Sequence, residues 1–123
     1  MTIIESSSKK VFNLYNKILD YNNYIRTNIL SSIPTVHRDL RIHLADEGYN
    51  LTKQMFHAIY TKGNVRMKYL IEMEVSISMI DMLSTIIVNF NCAPKSKVIS
   101  SIKKLEEIKN ITYAWIINEE KKK

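Results

Sequence analysis

The sequence predicts an all-α fold: an up-down-up-down antiparallel four-helix bundle in a single domain spanning residues 1–123. The chain of 123 residues is long enough to bury one hydrophobic core and too short for two. It contains only two glycines and two prolines, so few positions favour a turn. Short breaks between long segments of helical periodicity join neighbouring helices antiparallel, which predicts the bundle.

Turn-forming residues cluster in three places that divide the chain into four helices. These are "SSIPT" (31–35), "TKGN" (61–64) and "NCAP" (91–94). Pro34 and Pro94 suit the first turn of a helix, and Gly63 suits a helix C-terminus. We expect residues 120–123 to form a frayed basic tail. The predicted helices cover residues 7–31, 34–61, 64–90 and 94–119.

Composition indicates a cytoplasmic protein without membrane contact. The single cysteine, Cys92, cannot form an internal disulfide, and no signal peptide is recognisable. Apolar runs such as "TIIV" are far shorter than a membrane span.

Helices 2 and 3 carry more apolar surface than one bundle can bury. At 100° per residue, Leu40, Leu44 and Leu51 share one face of helix 2, while a second apolar set lines the opposite face. Apolar residues of helix 3 cover about two thirds of its circumference. We therefore expect a homo-oligomer, with a monomer that exposes some apolar side chains as the alternative. The predicted interface residues are Ile42, Tyr49, Phe56, Tyr60, Met79, Met82 and Ile86.

Helix 4 carries one apolar stripe that contains a lysine. Val98, Leu105 and Ile116 belong to the stripe, and Lys109 falls at its centre. If helices 3 and 4 run antiparallel, counting residues from the turn between them places Lys109 level with Glu74 of helix 3. We expect an ion pair between these two helices.

Positive charge gathers at both ends of the predicted bundle. The net charge is +6, and the waist is acidic. Cations at the start of a helix oppose the helix dipole, a cost that folding does not explain. We expect these ends to bind RNA or DNA, or a protein partner, with a merely solvated basic surface as the alternative. The predicted contact residues are Lys9, Lys10, Lys62, Arg66 and Lys68 at one end and Arg38, Arg41, Lys95 and Lys97 at the other.

The segment "VHRDLRIHL" (36–44) raises an enzymatic alternative. Its Arg38 and His43 have the Arg-x-x-x-x-His spacing that resembles the dyad of HEPN ribonucleases. Residues five apart on a helix point about 140° away from each other, and Asp39 is a nearer partner for His43. A solvated helix surface is the favoured interpretation, and a HEPN-like ribonuclease is the alternative.

No other motif indicates catalysis or a bound cofactor. The histidines His37, His43 and His57 form no HExxH pattern, and Cys92 stands alone. The chain has no glycine-rich phosphate loop and no nucleophile elbow. We expect a non-enzymatic protein without metal or cofactor.

Four segments together resemble a known family. They are "LYNKILDY" in helix 1, "SIP" at the first joint, "KGNVRMKYLIEMEVSISMIDML" through helix 3, and "YAWI" in helix 4. This pattern of helix lengths and apolar spacing resembles the accessory variability determinant proteins of diversity-generating retroelements and the related four-helix proteins encoded within ribosomal RNA intervening sequences.

The resemblance implies a ring-like homopentamer with a basic surface. It further implies that the protein binds a reverse transcriptase and nucleic acid, supports mutagenic complementary-DNA synthesis from a template RNA, and catalyses nothing itself. This chain has Asp81 and Thr85 where the family has arginines on the third helix, so the ends are the expected nucleic-acid contacts. A helical interaction protein with another partner is the remaining alternative.

Overall fold

The computed structural model describes residues 9–122, and for residues 9–12 it describes the backbone. Residues 1–8, including the predicted start of helix 1, lie outside this range. Two short 3-10 helices, Leu30–Ser32 and Thr35–His37, connect the first two α-helices, and residues 9–122 contain no strand. The prediction of an all-α, four-helix bundle is confirmed. The helices are α1 (Lys9–Asn28), α2 (Arg38–Ile59), α3 (Gly63–Asn89) and α4 (Lys95–Lys121).

The four helices surround one core. Helix α1 packs against α2 and α4, and α3 also packs against α2 and α4. Each helix contributes fully buried side chains, among them Ile18, Leu51, Leu70 and Ile108. The surfaces that remain exposed are therefore the outer faces and the two ends of the bundle.

Within the described range, four helix ends differ from the predicted ones by two to four residues. Helix α1 ends at Asn28 instead of residue 31, and α2 ends at Ile59 instead of residue 61. Helix α2 begins at Arg38 because Ile33 and Pro34 are extended: a proline disfavours helical backbone before it, and Ile33 is buried in the core. Helix α4 continues to Lys121 because Glu119 in its last turn is buried and bonded. Residues 120 and 121 thus belong to the helix and not to a frayed tail.

The predicted position of Lys109 is wrong. Lys109 is exposed, while Ile108 is fully buried, and no ion pair joins Lys109 to Glu74 in the described chain. The buried face of α4 includes Ser101 and Thr112, which sequence patterns class as polar. Their hydroxyls donate hydrogen bonds to backbone carbonyls one turn earlier, at 2.6 and 2.8 Å, so burial leaves neither hydroxyl unpaired.

Helices α1 and α2 approach closely at Gly48. The side-chain nitrogen of Asn22 donates hydrogen bonds to the carbonyl of Gly48 at 3.2 Å and to that of Ile18 at 3.0 Å. A Cβ at position 48 would overlap the Asn22 side-chain oxygen and lie 3.3 Å from its Cγ. Any larger residue at position 48 has to displace the hydrogen-bonded Asn22 side chain, which favours glycine here despite its low helix propensity.

We expect the effect of Gly48→Ala to change sign with residue 22. In the wild type the substitution displaces Asn22 and lowers the free energy of unfolding. In an Asn22→Ala background the clashing atoms are gone, and the next contact is Ile25 Cδ1 at an ordinary 3.7 Å. There the same substitution raises stability by about 1 kcal/mol through helix propensity. Urea denaturation of the four proteins measures this, and equal effects in both backgrounds would contradict it.

Candidate functional site

Four predicted cations gather at one end of the bundle. Arg38 and Arg41 lie in the first turn of α2, and Lys95 and Lys97 lie in the first turn of α4. The His37 ring lies 5.6 Å from the Phe90 ring, so the start of α2 sits beside the end of α3. We call this surface the basic end: Arg38, Arg41, Lys95 and Lys97, together with Arg26 in the last turn of α1.

The cations of the basic end are mostly unpaired. Arg26 hydrogen-bonds the hydroxyl of Tyr49. Arg38, Lys95 and Lys97 are exposed and Arg41 is half-buried, and within residues 9–122 none of these four makes an ion pair or a side-chain hydrogen bond. Their charge therefore faces solvent.

The helix dipoles add to this positive charge. Neither α2 nor α4 has a side-chain cap at its first turn, so the amide groups there lack a side-chain acceptor. Asp39 is the one acidic residue in these two first turns. The basic end therefore has the electrostatic character of an anion-binding surface.

Arg66, predicted as a surface contact, is used inside the fold. Its Nε donates a hydrogen bond to the Ala58 carbonyl at 2.8 Å, and Nη2 donates to the Ile59 carbonyl at 3.3 Å. Its Nη1 donates to Oε1 of Glu119 at 2.9 Å. The guanidinium also lies 5.7 Å from the ring centre of Trp115. Arg66 thereby joins the end of α2, the start of α3 and the end of α4.

Glu119 is the buried partner of Arg66, with its side chain 5% exposed. Lys122 also bonds to its carboxylate, at 3.2 Å. Burial acts to raise the pKa of Glu119, but the hydrogen bonds and charges of Arg66 and Lys122 outweigh it and hold the pKa below its ordinary value. This cluster was not predicted from the sequence. The one sequence feature that indicates it is the spacing of Trp115 and Glu119 by four residues, which places both side chains on the same face of α4.

The other described cations of the Arg66 end are exposed. They are Lys62, Lys68 and Lys121, and the Lys68 ammonium lies 5.2 Å from the ring centre of Tyr69. The side chains of Lys9 and Lys10 lie outside the described part of the chain. Among the described side chains, the two predicted basic ends differ in that the Arg66 end uses its arginine inside the fold, whereas the four predicted cations around Arg38 make no ion pair.

Most of the predicted interface residues are exposed. Ile42 and Tyr49 of α2, with Tyr60 directly after its last residue, form an exposed apolar set, which we call the α2 face. Met79 and Met82 are exposed on α3. Phe56 and Ile86 are partly buried. Phe56 packs against Tyr15 of α1, with 6.2 Å between ring centres.

Helix α3 exposes a continuous apolar stripe. Ile71 and Val75, which were not in the predicted interface, are 51% and 58% exposed and lie two turns and one turn before Met79, respectively. Together with Met79, Met82 and Ile86 they form the set that we call the α3 stripe: Ile71, Val75, Met79, Met82 and Ile86. The successive spacings of four, four, three and four residues place these side chains on one side of the helix, and none of them is charged.

The two apolar surfaces lie on different sides of the bundle. The polar residues Ser78, Asp81 and Thr85 line grooves against α4, which leaves the α3 stripe facing solvent. On α2, the His57 ring stacks on Tyr69 of α3 at 4.6 Å, whereas Tyr49 lines an open groove of about 300 Å³ against α1. A chain with two separate apolar surfaces can contact two neighbours at once.

The residues of the ribonuclease alternative are not joined. Arg38 and His43 are both exposed, and no hydrogen bond connects them in the described structure. His37 lies against Phe90 and His57 against Tyr69. Within residues 9–122, no three His, Cys, Asp or Glu side chains form a cluster that could hold a metal ion.

The fold and surface together define a four-helix protein with one basic end and two exposed apolar surfaces. Comparison of the chain with protein-family models, with curated proteins and with solved structures gave no match. Among the described helices, none combines the length and apolar character needed to cross a membrane.

We expect Glu119→Gln to lower the free energy of unfolding by about 2 kcal/mol at pH 7, because charge-assisted hydrogen bonds to Arg66 are weakened. Because folding lowers the pKa of Glu119, the ionised carboxylate adds to the free energy of unfolding. This stabilisation is complete above the ordinary carboxyl pKa and is lost as the pH falls through the lowered pKa of the folded state. The difference between wild type and variant should therefore shrink from pH 7 to pH 3 in urea denaturation.

Glu107→Gln is the matched control for this prediction. Glu107 pairs with Lys17 at 2.6 Å, but its side chain is 56% exposed, so solvent screens the pair. This variant should stay close to the wild type across the same pH range. An equal loss in both variants would show that burial at Glu119 does not matter.

Proposed function

We propose that this protein is a non-enzymatic accessory protein that assembles into a ring and binds nucleic acid and a reverse transcriptase. In this role it supports mutagenic complementary-DNA synthesis in a diversity-generating retroelement. The observation that carries the nucleic-acid part is the set of unpaired cations at the basic end. Cations that make no internal bonds are free to neutralise phosphates and release their counterions.

The proposal includes an up-down-up-down antiparallel order of the helices. It is supported by contacts that pair early residues of one helix with late residues of its neighbour. These pairs are Tyr15 with Phe56, Lys17 with Glu107, Asp20 with Lys104, His57 with Tyr69, and Arg66 with Glu119.

The two apolar surfaces support a ring. Contact between two different surfaces is heterologous, and heterologous contacts close into rings when the rotation permits. In an antiparallel register, Lys53 of α2 lies level with Glu72 of α3 and makes no ion pair within the described chain. If the α2 face packs on a neighbour's α3 stripe at the same height, Lys53 meets the neighbour's Glu72. A closed ring then repeats the basic end in every subunit and increases its avidity for a polyanion.

The reverse-transcriptase part rests on the sequence resemblance, chiefly on the helix-3 segment 62–83 and on "YAWI" in helix 4. The same resemblance implies five subunits. A reverse-transcriptase gene beside this one, together with a template repeat and a variable repeat, would support this part independently of the surface.

We expect Val75→Asp to dissociate the oligomer without loss of helicity. Val75 is a member of the α3 stripe and is 58% exposed, so a carboxylate there is solvated in the monomer and desolvated in the assembly. Light scattering measures the mass and circular dichroism the helicity. Phe56 is a poorer choice because it packs on Tyr15 within the chain.

Tyr113→Asp is the matched control, because Tyr113 is 59% exposed on α4, outside both apolar surfaces. It should keep the wild-type mass. A monomeric wild type, or an unchanged mass for Val75→Asp, would refute the proposed assembly.

We expect the double variant Arg38→Gln, Lys97→Gln to bind a labelled 20-nucleotide RNA more weakly than the wild type. The slope of log K against log salt should fall in magnitude by about 0.7 for each phosphate contact removed from a single strand. The control Lys103→Gln, Lys109→Gln removes two exposed cations from the waist and should leave the slope unchanged.

The same assay separates the alternatives. Cleavage of the RNA that is abolished by His43→Ala would establish the ribonuclease instead. Binding that is absent at low salt in the assembled wild type would leave a helical interaction protein with another partner.

A further inference from the structure

Phe90 is held outside the core by a rigid turn. It follows the last residue of α3 and is 63% exposed. Asn91, with φ of 54°, takes the left-handed conformation that ends many helices. The amide of Asn91 donates to the Val88 carbonyl at 3.1 Å, and that of Cys92 donates to the Ile87 carbonyl at 2.9 Å. This paired hydrogen-bond pattern, closed by the buried Cys92, fixes the backbone from which Phe90 projects.

The exposed Phe90 ring lies at the same end of the bundle as the cations of the basic end. His37, whose ring is 5.6 Å from that of Phe90, directly precedes Arg38. Lys95 and Lys97 follow Phe90 within one short connection and the first turn of α4. A single exposed apolar residue needs no explanation by itself. An exposed aromatic ring at the same end as several unpaired cations, however, is the combination with which proteins hold single-stranded nucleic acid.

We propose that Phe90 stacks on an unpaired base and makes the basic end selective for single strands; this inference rests on the nucleic-acid binding proposed above. The cations contact the phosphates of any nucleic acid, duplexes included. A base inside a duplex already stacks on both faces and is closed to an aromatic side chain, whereas a single strand offers its bases freely. Phe90 therefore adds affinity for single strands alone, and it does so for RNA and DNA alike.

The experiment compares three labelled probes: a 20-nucleotide oligouridylate, a 20-nucleotide oligothymidylate and a blunt 20-base-pair DNA duplex. Fluorescence anisotropy at several salt concentrations gives the affinity and the salt slope for each. Phe90→Ala should bind both single strands about tenfold more weakly, a typical loss for one stacked base, and should bind the duplex as the wild type does. Its salt slope should not change, because no charge is removed. Phe90→Trp should restore the affinity.

Tyr113→Ala is the matched control for this experiment, because Tyr113 is similarly exposed on α4 but lies far from the basic end. It should bind all three probes like the wild type. Light scattering on Phe90→Ala should give the wild-type mass, and a lower mass would overturn the inference by placing Phe90 in a subunit contact. Phe90 is exposed, so circular dichroism should show an unchanged fold.

The outcomes separate this inference from the function on which it rests. If Phe90→Ala weakens the duplex as much as the single strands, or weakens neither, stacking is refuted. In that case a salt-sensitive loss in Arg38→Gln, Lys97→Gln still upholds nucleic-acid binding. A wild type that binds none of the probes at low salt refutes both. If Phe90→Ala weakens the binding of oligouridylate but not that of oligothymidylate, base stacking is refuted and Phe90 recognises the ribose instead.

Discussion

The hydrogen bonds of Arg66 are the constraint on which the arrangement of the bundle depends. The guanidinium of Arg66, a residue of α3, donates hydrogen bonds to the last two carbonyls of α2 and to the buried Glu119 carboxylate of α4. The planar fork of arginine suits this task, since its N–H groups point in fixed and different directions. Three of the four helices are thereby tied together at one end. Removing Glu119 would leave the Arg66 guanidinium without a carboxylate partner, and removing Arg66 would leave the buried Glu119 with Lys122 alone, so either change is costly.

This internal use of Arg66 also shapes the outer charge distribution. At the Arg66 end, one cation is withdrawn into the fold and Lys122 bonds to Glu119. At the opposite end, Arg38, Lys95 and Lys97 remain exposed, and the uncapped starts of α2 and α4 add positive potential. Within residues 9–122, Arg38, Arg41, Lys95 and Lys97 of the basic end therefore keep their charge without an ion pair, and Phe90 lies at the same end. The proposed binding of a polyanion rests on this surface.

Helix α3 is apolar on two sides. Its inner side buries residues such as Leu70, Ile77 and Ile87 in the core, together with Ser76 and Ser84. Its outer side carries the α3 stripe, and the exposed polar residues Ser78, Asp81 and Thr85 lie along the grooves against α4. A helix with so much apolar circumference cannot bury all of it in one bundle, so the α3 stripe stays exposed unless another surface covers it.

Sequence periodicity alone determined the helical class, the number of helices and the three joints, because few turn residues interrupt long amphipathic segments. It also determined the excess of apolar surface on α2 and α3, which depends only on composition and a period of 3.6 residues. Tertiary structure decided the rest. Lys109 is exposed and Ser101 buried because a serine hydroxyl can bond its own helix, whereas an ammonium needs a partner or water. Arg66 is bonded inside the fold because tertiary packing brings the end of α2 and the Glu119 carboxylate within reach of its guanidinium. Arg38 stays exposed because the packing brings no acidic side chain of the described chain into an ion pair with it. The charge of each residue and its position along a helix can be read from the sequence. Which group neutralises that charge depends on which side chains the tertiary structure brings close together.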